Sequence, residues 1–461
     1  MTTIPDTVRK SKPGRARTLK RMALWSVLVV LVGIVLLFAK EFLPVANKHP
    51  IVDAQNRIVI YHGLNVSNHS KSSPGNLPQV SSAEYEQMRE WGFNMVRYLV
   101  FWEAIEPEPG RINEEYLAKT WEQIDLIGAL GFDVVIDFHQ DLFSKRFGGN
   151  GFPDWTVNDG GHPFTRQTPW QKNYWQPAVW HSYDFFWRSD ALQNQYANAV
   201  RVVLAGAATR PHVTGLDIMN EPWPWKGLRF EELALSGLYK KVAAMRDDNG
   251  FQTPLYFAPM LPTNAGLSSG LREAPGERSV YAPHFYDAFV DAEWSYRFWN
   301  RLLMQRTVKL RIREAQRMQV PLFFGEFGLV QSNPGFARYL RDFTNLMDEY
   351  QVGWAYWSYD RGRFGVMDQT GAPGPALNEL VQVYPQRVAG RNLRFKRSGQ
   401  TFEMTFDPVV CTGPTEVFIP VGLDIEQISL NGTDLPEPVG RVLILPAPAD
   451  AQSQHLRIRW K

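Results

Sequence analysis

The 461-residue chain carries 49 Lys and Arg against 47 Asp and Glu, a formal net charge of +2. That balance excludes the broad basic field by which nucleic-acid-binding domains hold phosphates, so no nucleic-acid partner is expected. The single cysteine, Cys411, excludes an intramolecular disulfide; it lies in no metal-binding motif and reads as a small buried hydrophobe.

The basic excess sits at the N-terminus. Residues 1–21 hold Arg9, Lys10, Lys12, Arg15, Arg17, Lys20 and Arg21 against one acid, Asp6, a polar tail expected to be disordered. Met22 to Ala39 is an uncharged apolar run, long enough to span a bilayer. The basic cluster before it keeps the N-terminus cytoplasmic and places the rest of the chain on the far side, in the periplasm or at the cell surface. A cleaved signal peptide is the alternative. Against it, the run exceeds a usual signal-peptide core, and Phe38-Ala-Lys-Glu-Phe42 is a poor cleavage site.

From residue 50 short apolar runs alternate with helical patterns. Expected strands are 58–66, 93–100, 132–138, 213–219, 255–258, 279–282, 321–324 and 352–357. Expected helices include one opening at Ser82-Ala-Glu and stopped by Gly92, then 114–130, 230–248, 298–318 and 336–350. A loop over about 142–188 is dense in Trp, Gly, Pro and Asn, and within it Gly148-Gly-Asn-Gly151 reads as flexible rather than as a phosphate cradle. Eight strands with mostly helical connections predict an α/β fold, a (β/α)8 TIM barrel, over 50–385. Beyond it, period-two runs separated by Gly, Pro and Asn predict a β-sandwich over 386–461. Asn431-Gly432 is a hairpin signal there.

Two strands end on a carboxylate. Gly215-Leu-Asp-Ile-Met-Asn-Glu-Pro-Trp223 delivers Asn220 and Glu221, and Pro321-Leu-Phe-Phe-Gly-Glu-Phe-Gly328 delivers Glu326. A pair of carboxyls at the C-terminal rim of a barrel is what glycosidic bond cleavage needs, one as proton donor and one as nucleophile or base. Other strand ends add Arg97, Asp137, His139, Gln140, Asp141, His284, Tyr286 and Trp357. Taken singly, Arg97 could be a structural ion-pair partner, His139 and His284 satisfied core histidines, and Trp357 barrel core. No His or Cys spacing argues for a metal, and no Gly-rich turn argues for a nucleotide, so no cofactor is expected.

These residues carry a resemblance. Asn220-Glu221-Pro222 with Gly325-Glu326-Phe327-Gly328 is similar to glycoside hydrolase family 5. Within that family, Asn65-Val-Ser-Asn-His-Ser-Lys-Ser-Ser-Pro74, Asp137-Phe-His-Gln-Asp141, Asp217-Ile-Met-Asn-Glu-Pro222, Gly325-Glu-Phe-Gly-Leu329 and Tyr356-Trp-Ser-Tyr-Asp360 resemble the endoglycoceramidases and glycosylceramidases. The resemblance implies a retaining β-glycosidase with Glu221 as acid/base and Glu326 as nucleophile. It implies that Asn220 bonds a sugar 2-hydroxyl and that Trp357 is the floor beneath the sugar. Arg97, His139, His284 and Tyr286 would support or orient the carboxylates, while Lys71, Asp137 and Asp141 would contact sugar hydroxyls. A lone loop lysine is more usually solvated, which is the alternative for Lys71.

The expected substrate is glucose, or a glucose-ended glycan, on a lipid, as in glycosphingolipids, reached from an anchored position at the membrane. Two alternatives stand beside it: a β-glucanase or β-glucosidase on non-lipid glycans, and a non-catalytic, membrane-tethered carbohydrate-binding protein. The aromatic loop over 142–188 could cover a channel for the aglycone, or be ordinary packing.

Overall fold

Runs such as Met95–Val100 and Phe323–Phe327 are buried along their whole length. Strands with no face for water belong at the centre of a parallel sheet covered by helices. In the structure, a computed structural model, that is where they lie. It describes residues 43–461 apart from 225–228, 288–289, 291–293, 410–412 and 446–451. The expected tail 1–21, the expected span 22–39 and Cys411 lie outside the described residues. Among those described, no helix is long and apolar enough to cross a membrane.

The strands are β1 (Ile58–Val59), β2 (His62–Val66), β3 (Met95–Val100), β4 (Asp133–Phe138), β5 (Val213–Asp217), β6 (Leu255–Phe257), β7 (Ser279–Tyr281), β8 (His284–Phe285), β9 (Phe323–Phe327) and β10 (Gly353–Tyr356). One parallel sheet runs in the order β7-β6-β5-β4-β3-β2-β10-β9-β8. Its two ends, β7 and β8, are pieces of one run split at Ala282-Pro283, where proline has no N–H to give a ladder. Tyr281 bridges to Leu322, and His284 pairs with Glu326. The sheet therefore closes on itself as an eight-stranded ring, with helices Glu114–Ala129, Asp190–Ala207, Ser236–Asp248, Phe298–Met318 and Phe336–Tyr350 between strands.

The C-terminal region adds β11 (Tyr384–Val388), β12 (Gly390–Ser398), β13 (Thr401–Pro408), β14 (Thr415–Phe418), β15 (Ile425–Leu430), β16 (Thr433–Asp434), β17 (Val442–Leu445) and β18 (Gln454–Trp460). They form two antiparallel sheets, β1-β11-β14-β17 and β12-β13-β18-β15-β16. Alternate side chains of both sheets meet in one core that includes Val388, Phe402, Phe406, Phe418, Leu456 and Ile458.

The expected first strand, 58–66, is two strands serving two cores. Ile58 and Ile60 enter the C-terminal core, whereas Val59 and Tyr61 enter the barrel floor with Met95, Val135, Tyr256 and Phe323. Period two allows this, because successive side chains leave on opposite faces. The expected loop 142–188 contains a helix, Pro177–Arg188, whose aromatic sequence hides its polar face. Gly148–Gly151 is packed rather than free: Asp141 bridges to Asn150, and a Cβ on Gly151 would meet His139 O at 2.6 Å. The helix at 82 is capped one residue earlier than expected, by Ser81 with Glu84.

Candidate active site

Each barrel strand runs upward into the same rim, so its last residues converge there. Glu326 is the penultimate residue of β9, and Glu221 follows β5 by four positions. One atom each of Glu221, His284 and Glu326 lie within 4.8 Å of one another. His284 Nδ1 is 2.9 Å from Glu221 Oε1 and 3.5 Å from Glu326 Oε2. This approach needs a glycine beneath it, since a Cβ on Gly325 would stand 2.9 Å from His284 Nε2.

The two carboxyls sit in opposite environments. Glu326 Oε1 accepts from Arg97 Nη1 at 2.8 Å and its Oε2 from the Tyr286 hydroxyl at 2.9 Å. Both donors favour a charged carboxylate. Burial, then Glu326 and Glu221, push the Tyr286 phenol well above its ordinary range, so it remains a donor. Glu221 is only 8 % exposed. Burial, with Asp141 next, pushes its carboxyl up to about 7. Its Oε1 accepts from Asn264 Nδ2 at 2.6 Å and faces His284 Nδ1. Burial lowers His284 to about 4, so it is a neutral imidazole. Asn264 already donates to Oε1, which leaves Oε2 the freer oxygen to carry the proton of Glu221. The pair therefore sets a carboxylate fixed by two donors beside a carboxyl that keeps its proton up to about pH 7.

Glu221 stands on a left-handed backbone, φ 41°, a conformation a non-glycine residue adopts only when its surroundings enforce it. Gln140 enforces it. Its Nε2 donates to the carbonyls of Asn220 at 2.8 Å and Glu221 at 2.9 Å, and Tyr183 fixes the other end of the amide at 2.6 Å.

Below the pair lies Arg97, fully buried. Its Nη2 is 2.8 Å from Asp217 Oδ2 and 2.9 Å from Asp137 Oδ1, and it donates to Asn220 Oδ1 at 3.2 Å. Asn65 Oδ1 accepts from Nη1 at 2.9 Å, and the Asn65 amide donates to the carbonyls of Gly325 and Tyr356 at 3.1 and 3.2 Å. Asn220 Nδ2 donates to Gln140 O at 3.1 Å, which leaves that amide one further N–H.

A second chain of charges runs beside the cleft. His139 lies between Asp137 Oδ2 at 2.7 Å and Asp141 Oδ2 at 3.3 Å. Burial and Lys71 pull His139 down, but the two aspartates outweigh them and raise it. Lys71 Nζ is 2.6 Å from Asp141 Oδ2 and 4.2 Å above the Trp357 ring. Against the effect of burial, Lys71 and His139 hold Asp141 well below its ordinary range. Trp357 stacks on His139 with ring centres 5.5 Å apart. Asp360 fixes the turn that carries Lys71, accepting from Asn68 N at 2.8 Å and His69 N at 3.1 Å.

The structure thus brings together every residue singled out from the sequence: Glu221, Glu326, Asn220, Arg97, His139, His284, Tyr286, Asp137, Asp141, Lys71 and Trp357. Gln140, also read from a strand end, joins them through the backbone of Glu221, and the structure adds Asn65, Asp217 and Asn264. Asn65 and Asp217 lay inside quoted motifs, but nothing in their spacing marked them as Arg97 partners. Asn264 sits on a turn after β6 with no strand-end signal. On the Glu221 side, Trp223 is buried against Tyr174, Trp175 and Trp180, at ring-centre distances of 4.4, 5.3 and 6.1 Å. Three close ligand-type groups could also surround a cation. Here, however, Arg97 and Tyr286 occupy the oxygens of Glu326, and Asn264 shares Oε1 of Glu221, a donor set suited to moving a proton.

Comparison with known proteins shows the family. Residues 62–362 match the family described as Cellulase (glycosyl hydrolase family 5). The chain is 28% identical over 410 residues to Endoglycoceramidase I of Rhodococcus hoagii (strain 103S), covering 80% of this chain and 78% of that protein. It also superposes on endo-glycoceramidase II from Rhodococcus sp. in its ganglioside GM3 complex, with a TM-score of 0.81 and 27% identity over 89% of this chain and 99% of that one. The same protein as a lactosyl-enzyme intermediate superposes with a TM-score of 0.79 at 28% identity, with the same coverage.

Proposed function

The chain belongs to glycosyl hydrolase family 5 and is a glycoside hydrolase; from that premise we propose that it is a retaining β-glycosidase that releases a glucose-ended glycan from a lipid. The observation that carries the reading is the pair itself. Glu221 and Glu326 approach within 4.8 Å through their nearest oxygens, the first a carboxyl whose proton affinity burial raises and the second bonded by Arg97 and Tyr286. Retaining enzymes place their carboxyls about 5–5.5 Å apart, too close for an intervening water.

In the first step Glu221 Oε2 gives its proton to the glycosidic oxygen while a Glu326 oxygen attacks the anomeric carbon. The aglycone leaves as an alcohol, and the sugar remains as a glycosyl ester. Ester formation consumes the charge of Glu326, and Glu221, now ionised, takes a proton from water. That water displaces Glu326 and regenerates both groups. The remaining Asn220 N–H, the Trp357 face and the Lys71–Asp141–His139 chain supply contacts for the sugar.

A lipid aglycone is supported by the names of the relatives and by the Trp223, Tyr174, Trp175 and Trp180 cluster beside the acid, the side on which the leaving group departs. Trp175 is 68% exposed, so the cluster extends from the acid to the surface. An uncleaved span over 22–39 would keep this unit on the extracytoplasmic side of a membrane and near such a substrate.

The test is a panel of glycolipids and a soluble β-glucan, with mass spectrometry of both products and NMR of the first-formed anomer. Release of an intact lipid and a β-configured sugar is expected, and Glu326→Gln should abolish it. Cleavage of the glucan alone, or an α-configured first product, would overturn the reading.

A further inference from the structure

Arg97 has five N–H donors, and all are committed. Nε and Nη2 donate to Asp217 Oδ2, Nη2 also to Asn220 Oδ1, and Nη1 to Asn65 Oδ1 and Glu326 Oε1. Two acceptors in the same pocket remain. Asp137 Oδ1 and Asp217 Oδ1 are buried and have no hydrogen-bond donor among the described residues. Asp137 Oδ1 is 2.9 Å from Arg97 Nη2 but off the line of its N–H bonds. The two aspartates are register neighbours on β4 and β5. Buried oxygens are rarely left without a donor, and a proton on one acid supplies it to the other.

Charge leads to the same place. One guanidinium faces Asp137, Asp217 and Glu326 at 2.9, 2.8 and 2.8 Å. Asp137 has a second partner in His139, at 2.7 Å. Among the described residues Asp217 is ion-paired with Arg97 alone, and Tyr196, Tyr239 and Tyr256, whose phenols it helps to raise, bring no positive charge.

We propose that Asp217 is a positioning residue that works as a neutral acid: its Oδ1 hydroxyl donates to Asp137 Oδ1, its Oδ2 orients Arg97, and the charge of Arg97 is left for Asp137 and Glu326. The proposal deepens the glycosidase reading and rests on it. Burial, and then Asp137, raise the proton affinity of Asp217 against the pull of Arg97, in the same direction. An ionised Asp217 would compete with Glu326 for the charge of one guanidinium. Held neutral, it supports Arg97 without that competition.

The test uses the full chain. Asp217→Ala removes the support and should lower kcat at least about thirty-fold. Asp217→Asn keeps a carbonyl for Arg97 and an N–H for Asp137, and should recover kcat to within about five-fold of the parent. The infrared difference between parent and Asp217→Asn at about pH 6 should show the carbonyl band of a protonated carboxyl in the parent. Absence of that band overturns the proposal. So does an Asn variant that fails to fold or that loses as much kcat as Asp217→Ala, since a neutral acid and its amide should serve Arg97 alike. If the parent cleaves no β-glycoside, the glycosidase reading fails, and the infrared band still decides the state of Asp217.

Discussion

Replacing Glu221 by Gln should make the protein inactive and, in alkaline solution, more stable. Glu221 ionises near 4.5 in an unfolded chain and only at about 7 in the folded protein. Its folded value is raised, so the unfolded state sheds the proton first as the pH climbs. The stability cost of Glu221 is absent below its unfolded value, grows between the two values, and saturates above the folded one. At 1.36 kcal/mol per pKa unit, the step from 4.5 to about 7 is worth about 3 kcal/mol. Glutamine escapes that cost. Its carbonyl can accept from Asn264 and His284, and its NH2 stands where the proton stands now. Thermal melts of both proteins at about pH 5 and about pH 8 separate this effect from the rest of the substitution, because every other titrating group is common to both. The gap should widen in favour of the variant by a few degrees from acid to alkali, while turnover falls by about a thousand-fold or more. A gap independent of pH would show that Glu221 is already ionised in the folded state, and the acid role assigned to it would go with it.

The same proton sets the alkaline limb of kcat/KM near 7, and Asn264→Leu, which removes a donor favouring the ionised form while keeping the site dry, should move that limb up by about one pH unit; a downward shift refutes the assignment. Gly325→Ala would press on His284 and should cost about ten-fold or more in kcat, with circular dichroism unchanged; full activity would show that His284 is not needed where it stands. Lys71→Met should raise KM about ten-fold with less effect on kcat, as expected for a group that contacts ground state and transition state alike, and a purely kcat effect would contradict a sugar-binding role. Gly92→Ala places a Cβ in the ring of Phe418 on a backbone at φ 90°, and should destabilise by about 2–4 kcal/mol in urea unfolding with kcat intact; a neutral result would mean the contact is not tight.

Much of the site was legible because a parallel barrel strand announces itself twice. An uninterrupted apolar run marks the strand, and the first polar residue after it marks the rim, as Phe323–Phe327 with Glu326 and Val213–Asp217 with Asn220 and Glu221 illustrate. Lys71 was reached only through resemblance, since the turn that presents it is fixed by Asp360, almost 300 residues away in sequence (|i−j| of 292 and 291 for its two bonds). Asn264 left no periodic trace because its element is a short turn. Asp217 was hidden for a different reason: as the last residue of the buried strand β5, it looks like one more member of the motif until the donors of Arg97 are counted. The strand boundary at Ile60 could not be read either, because one alternating pattern satisfied two cores.

That shared stretch has a consequence for how the molecule can be cut. Ile58 and Ile60 face one set of partners and Val59 and Tyr61 the other, while Tyr384 and Gln386 both bond Gly92 O, at 2.6 and 3.2 Å. A protein ending before Tyr384 would leave two isoleucines and the Gly92 carbonyl facing solvent directly beneath the ring of strands. The terminal sheets thus act as a base plate riveted to the cylinder, and trimming them loosens the same β2 and β3 that carry Asn65 and Arg97.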